Sequence, residues 1–188
     1  MLGQEHNLSA EDVAKYFLAL SDPESEDTLS NLKLQKILYF AQGYFYLQYN
    51  RPLFWEKIKA WKDGPVVPQI WHKYKENQGF YIEPINDIDI DSYPEEVREL
   101  LDALYTICRF YSAWQLREIT HTHSIYIDAW EKSQYSDDDE IKKDDIKEFF
   151  TTNFKALLND DDDQELGMIA LDREKDMHDN LVPFEKCF

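Results

Sequence analysis

Gln35, Tyr39, Gln42 and Tyr46 stand at i, i+4, i+7 and i+11 in "LKLQKILYFAQGYFYLQY" (residues 32–49). On a helix this spacing forms one stripe of side chains that can donate or accept hydrogen bonds. Two readings fit it: a half-exposed amphipathic stripe whose polar ends meet water, or the floor of a polar recognition groove. Downstream, "AWKDGPVVPQIWHKY" (residues 60–74) sets Trp61, Trp71 and Tyr74 around a Gly64-Pro65 step, with Pro68 three residues later. Proline pushes the residue before it out of the helical region and locks its own φ, while Pro68 suits the first turn of a helix. The expected result is a rigid strand-to-helix elbow presenting Trp71 and Tyr74. Tryptophan and tyrosine bury large areas at small entropic cost, which suits gripping another protein. The competing reading makes each ring ordinary core.

Other chemistry fades on inspection. The elbow has no G-x-x-x-x-G-K-[ST] phosphate cradle. Asp87, Asp89 and Asp91 have the first spacing of a calcium loop, but Ser92 and Arg98 stand where glycine and the bidentate glutamate are needed. His121 and His123 lie two apart, which splits them across a helix, and neither cysteine has metal-ligand spacing. No metal or other cofactor is expected. A G-x-S-x-G elbow is absent, and Cys108 lies on an apolar helix face where an inert core thiol is the default. The chain reads as a binding protein rather than an enzyme. His121 reads as stabilising the end of its helix.

These residues need elements to hold them. Ser9 with Asp12 three residues on is a capping signal for a helix to about Leu20. Residues 32–49 form the strongest periodic segment, with Leu34, Ile37, Leu38, Ala41, Tyr44, Phe45 and Gln48 on one side. This predicts a central, mostly buried helix. Gly43 inside it suggests a close crossing with another helix. "EKIKAW" and "GFYIEPI" alternate like strands and are expected to pair as a small antiparallel ribbon over residues 57–62 and 79–85. Helices follow over about 68–77, 94–111, 112–121, 125–133 and 144–158. The fold class is therefore mainly α (α+β), a compact helical domain over residues 1–158. An acidic C-terminal extension, helix plus tail, is expected over 159–188.

The 188 residues carry a net charge of −18, unevenly: −5 over residues 1–94 and −13 over residues 95–188. A phosphate backbone repels such a surface, so direct nucleic-acid binding is disfavoured. An acidic DNA mimic of the phage counter-defence type is the alternative that this charge permits. No apolar run reaches the roughly 18 residues of a spanning helix, and the first residues show no signal peptide. With only Cys108 and Cys187, a disulfide framework is not expected and a reducing cytoplasm fits better.

"LKLQKILYFAQGYFY", "RPLFWEKIKAWKDGPVVPQIWHKYK" and "YSAWQLREITH" together resemble the Panacea antitoxin domain, a family that includes SocA-type and phage-associated proteins. The resemblance covers about residues 9–150. It implies a compact, mainly helical domain that neutralises a cognate protein toxin by direct binding, as in a type II toxin–antitoxin pair. For some members it also implies delivery of that toxin to a cellular protease or its unfoldase. By motif it carries over Lys33, Gln35, Lys36, Tyr39, Ala60, Trp61, Gly64, Pro65, Pro68 and His121. With Gln42, Trp71 and Tyr74 from the stripe and elbow, and without Ala60, these are the candidate partner-binding residues. After "ITH" the family typically continues with a glutamate and a Pro-Trp pair, whereas this chain has His123, Ile125 and Tyr126.

Overall fold

The computed structural model describes residues 8–22, 28–77 and 81–154. The expected acidic extension, and the end of the last helix beyond Phe154, lie outside the described residues. The chain order is α1 (Ala10–Leu20), α2 (Asn31–Tyr49), β1 (Ile58–Trp61), β2 (Gly64–Val66), α3 (Pro68–Tyr74), α4 (Glu95–Cys108), α5 (Ala113–His121), α6 (Ser124–Ser133), β3 (Glu140–Ile141) and α7 (Lys143–Phe154). Short 3₁₀ turns occupy Lys75–Asn77 and Ile90–Ser92. The fold is mainly α with a small antiparallel sheet, as its periodicity predicts.

Local signals set most boundaries. Ser9 accepts from the Asp12 backbone N–H, while Asp12 accepts in return from the Ser9 N–H, closing a capping box on α1. Ser112 and Gln115 build the same device on α5. Ser30 caps α2, which ends at Asn50 in the left-handed region with φ 56°. Pro68 occupies the first turn of α3.

Helix α2 is the axis. Every residue from Lys33 to Tyr46 is buried, and α1, α3, α4, α5, α7 and β2 all pack around it. A helix enclosed on all sides has no solvent face, so its polar residues must find partners inside. Gly43 explains the tightest contact. A Cβ there would collide with the Phe150 ring of α7, whose ring also meets Tyr39 and Tyr44 edge-on. The close crossing expected at Gly43 is therefore present. Gln48, placed on the core side by periodicity, is exposed, because α2 leaves the core in its last turn.

The sheet corrects the expected ribbon. β1 pairs with β2 through Lys59↔Val66, Ala60↔Pro65 and Trp61↔Gly64, and with β3 through Ile58↔Ile141 and Lys59↔Glu140. Residues 81–85 form no strand against β1. Tyr81 instead bridges Ser30 and accepts from the Asn77 side chain, and Ile82 donates to the Leu29 carbonyl. Gly64 is the physical reason: its φ of +98° lets the chain reverse directly after Lys62-Asp63, so a local hairpin takes the edge of β1. β3, only two residues long, offers too short a pattern to be read in advance.

Candidate functional site

The polar stripe is wholly internal, so it is not the half-exposed stripe that its composition suggested. Gln35, Tyr39 and Gln42 are at most 1% exposed, and Tyr46 is buried too. Two of these side chains serve the backbone of irregular segments. Gln35 accepts from the Val67 N–H at 2.9 Å and donates to Asn31 Oδ1 at 2.9 Å, while Asn31 donates to the Trp71 carbonyl at 3.0 Å. Gln42 accepts from the Phe54 N–H at 3.1 Å, holding the loop that enters β1. A buried backbone N–H without a partner is costly, so Gln35 stabilises the elbow from beneath and Gln42 the loop into β1.

Tyr39 and His123 share a hydrogen bond, hydroxyl to Nδ1, at 2.8 Å. His123 precedes α6 and is 2% exposed; burial pulls its pKa down to about 4, which keeps the imidazole neutral. Burial likewise raises the Tyr39 phenol well above its usual range. Sequence reasoning weighed His123 only as a metal ligand or a departure from a pattern. The pairing crosses 84 residues, so no local spacing signals it.

Lys36 and Lys33 are buried lysines of the same helix. Lys36 Nζ donates to the Pro65 carbonyl at 3.0 Å, and burial lowers its pKa to about 7. Lys33 Nζ reaches the Arg109 carbonyl at 3.4 Å. Gly64 and Pro65 are buried above Lys36, and Ala60 is buried within β1. Tyr74 turns inward, while Pro68 is partly exposed. His121, in the last turn of α5, stacks on Tyr126 with ring centroids 4.6 Å apart, and burial lowers its pKa.

The surface over this interior is aromatic. Trp61 projects from the open face of the hairpin and meets Trp71 edge-on at 5.3 Å and His72 at 6.2 Å. At the hairpin tip, Arg117 of α5 contacts Asp63 at 3.1 Å and donates to the Lys62 carbonyl, while its guanidinium lies 5.4 Å from the Trp114 ring. Trp114 is 62% exposed, and Phe110, just before α5, is 55% exposed. Arg117 thus links the hairpin of Trp61, singled out in the sequence with its ring partner Trp71, to Trp114 of α5, which was not, and Phe110 lies just before that helix. The tryptophan in "SAWQLRE" was the available signal, since it starts a short capped helix and the residues one turn on, Arg117 and Glu118, are charged.

An internal polar scaffold thus braces a partly exposed aromatic edge. Residues 34–126 match the family model described as "Antitoxin SocA-like, Panacea domain", so the chain carries a SocA-like Panacea domain, as its motifs indicate. The chain is also 46% identical over 54 residues to Antitoxin SocA of Caulobacter vibrioides (strain NA1000 / CB15N). That alignment covers 29% of this chain and 29% of the relative's length. No solved structure matches. Among the described residues, no helix is long and apolar enough to cross a membrane.

Proposed function

We propose that this protein is an antitoxin that binds a cognate protein toxin directly, through the edge formed by Trp61, Trp71, His72, Arg117, Trp114 and Phe110. The observation that carries the reading is the exposure of Trp114 on α5, and of Phe110 just before it, where Arg117 lies over Trp114 and holds Asp63 at the tip of the hairpin that carries Trp61. Exposed aromatic clusters of this kind are where binding energy concentrates. Gln35, Lys36, Tyr39, Gln42, Gly64 and Pro65 act on the partner indirectly, by fixing the hairpin and α3. We read the action as binding rather than catalysis. Cys108 is buried with its thiol pushed up to about 12, and the Tyr39–His123 pair is buried as well.

The acidic DNA-mimic reading has less support. Described carboxylates interleave with lysines: Asp138 with Lys132 and Lys142, Asp139 with Lys59, and Glu140 with Lys57. A phosphate mimic needs uncompensated negative rows.

The test co-expresses the chain with the toxin encoded beside it and scores growth rescue and co-purification. Trp71→Ala and Trp114→Ala should each fold, weaken co-purification and lose rescue. Folded variants that still rescue would move the contact elsewhere. Rescue that disappears only in a strain lacking a particular protease would add the delivery step.

A further inference from the structure

Lys36 lies where α2 crosses the hairpin, and the hairpin closes over it. Its side chain is fully buried, donates to the Pro65 carbonyl, and pairs with no carboxylate among the described residues. The amine also fixes the identity of Gly64. A Cβ on Gly64 would lie 2.7 Å from Lys36 Nζ and 2.8 Å from Thr120 Oγ1. The hairpin backbone thus rests directly on the amine, with no side chain between. Closure of this backbone and hydration of the amine exclude each other.

The charged groups that face the amine do not restore what water would give it. Asp63 at the hairpin tip favours the ammonium, but Arg117 of α5 holds Asp63 at 3.1 Å and itself opposes the charge. His121 of α5 also feels the amine. Lys62 flanks Asp63, Glu118 pairs with Arg117, and Lys33 lies one turn back on α2. From α6, Tyr126 contributes a neutral hydroxyl, which donates to the Trp61 carbonyl at 2.9 Å. A buried ammonium held by a carbonyl, without a paired carboxylate, is disfavoured relative to the neutral amine.

We propose that Lys36 is a titratable pin beneath the hairpin: the hairpin seals over the neutral amine and opens to hydrate the ammonium. Closure of the edge that carries Trp61 is therefore linked to the loss of one proton. The pin stands on the interior geometry alone; its effect on toxin binding rests on the functional reading above.

The direction of the effect follows from linkage. In the closed state burial lowers the Lys36 pKa to about 7, against 10.5 for an ordinary lysine such as the open state offers. The open state binds the proton more tightly. Its population therefore rises by up to about tenfold per pH unit as pH falls from 10.5 towards 7, and levels off below. The hairpin is loosest at neutral pH and tightens in alkali.

Quench-flow hydrogen exchange on the full chain at pH 7, 8 and 9 reads this directly, comparing the 57–66 peptide with a peptide from α2. The Lys36→Met variant supplies the reference for the intrinsic pH dependence of exchange. Protection of the wild-type hairpin relative to the variant should rise several-fold per pH unit, with α2 unchanged. Identical profiles in the two proteins would overturn the pin, as would a change spread evenly over the chain. Asp63→Asn should move the levelling-off to lower pH, because it removes the carboxylate that favours the ammonium; with both proteins followed down to pH 5, an unmoved break counts against the proposal. If Lys36→Met does not fold, titration of 13C-labelled lysines in the wild type decides. One lysine titrating near neutrality among the alkaline ones supports the pin, and none doing so refutes it. Loss of toxin binding alone bears on the functional reading and leaves the exchange result standing.

Discussion

The polar stripe of α2 and the aromatic edge of the hairpin, α3 and α5 invert what their side chains suggest. Glutamines and tyrosines are buried in the stripe, with Lys36 buried beside them, while Trp114 and Phe110 stand exposed on the edge. Gln35, Tyr39 and Gln42, with Lys36 beside them, bond inside the fold to Val67, Asn31, His123, Phe54 and Pro65. The edge is stacked upon itself. A buried polar group is held by the cost of leaving it unpaired, whereas an exposed ring keeps its apolar surface for a partner. Substitutions in the stripe should therefore cost stability, and substitutions on the edge should cost binding.

The largest stability loss should come from the apolar side of α2. Phe45 is fully buried, and Phe45→Ala should destabilise the chain by about 3–5 kcal/mol in denaturant titration. A loss below about 1 kcal/mol would mean that α2 is not the axis, because core truncations rarely cost so little.

Next comes the histidine that meets the stripe at Tyr39. His123 holds its proton at about 4 in the folded chain against 6.5 normally, so the unfolded chain binds protons more tightly between those values. Stability should fall as pH drops from about 6.5 to 4, by on the order of 2–3 kcal/mol for a fully retained shift. His123→Gln should flatten that window, and an unchanged slope in the variant would place the acid sensitivity elsewhere.

Gly64→Val combines a positive φ with contact against Lys36 and Thr120, and should cost about 1–3 kcal/mol. Gln35→Ala leaves the Val67 N–H unpartnered and should cost a similar 1–3 kcal/mol. Both losses should appear in thermal melts, and full stability in either would show that the hairpin does not depend on its brace.

The smallest effect on stability belongs to the edge. Trp114→Ala should change unfolding free energy by under about 1 kcal/mol, as exposed positions do. It should nevertheless weaken toxin binding by 2 kcal/mol or more, roughly thirtyfold, if Trp114 is an anchor. Equal small effects in calorimetry of binding and of unfolding would erase the contrast between the regions.

Much of this architecture was legible along the chain. The capping boxes at Ser9 and Ser112, the periodicity of α2, Pro68 at the start of α3 and the close approach at Gly43 all follow from rules spanning a few residues. The family motifs were legible too, as was the grouping of Trp61 and Trp71 around the elbow. The sheet partner was not legible, because strand pairing depends on which edge is nearest in space. Gly64 resolved that choice by turning the chain at once. The fate of the stripe was hidden for the same reason: i, i+4, i+7 spacing shows that side chains share a face, while neighbours decide whether that face meets water.

Local sequence, then, determined the helices, their caps and the elbow, since those energies arise within one or two turns of chain. Tertiary structure alone decided that Gln35 and Gln42 serve the backbones of Val67 and Phe54, that Tyr39 meets His123, and that Arg117 ties α5 to Asp63 at the hairpin tip. Each of those contacts brings together side chains or backbone far apart in sequence, and its energy exists only once the chain has closed around α2.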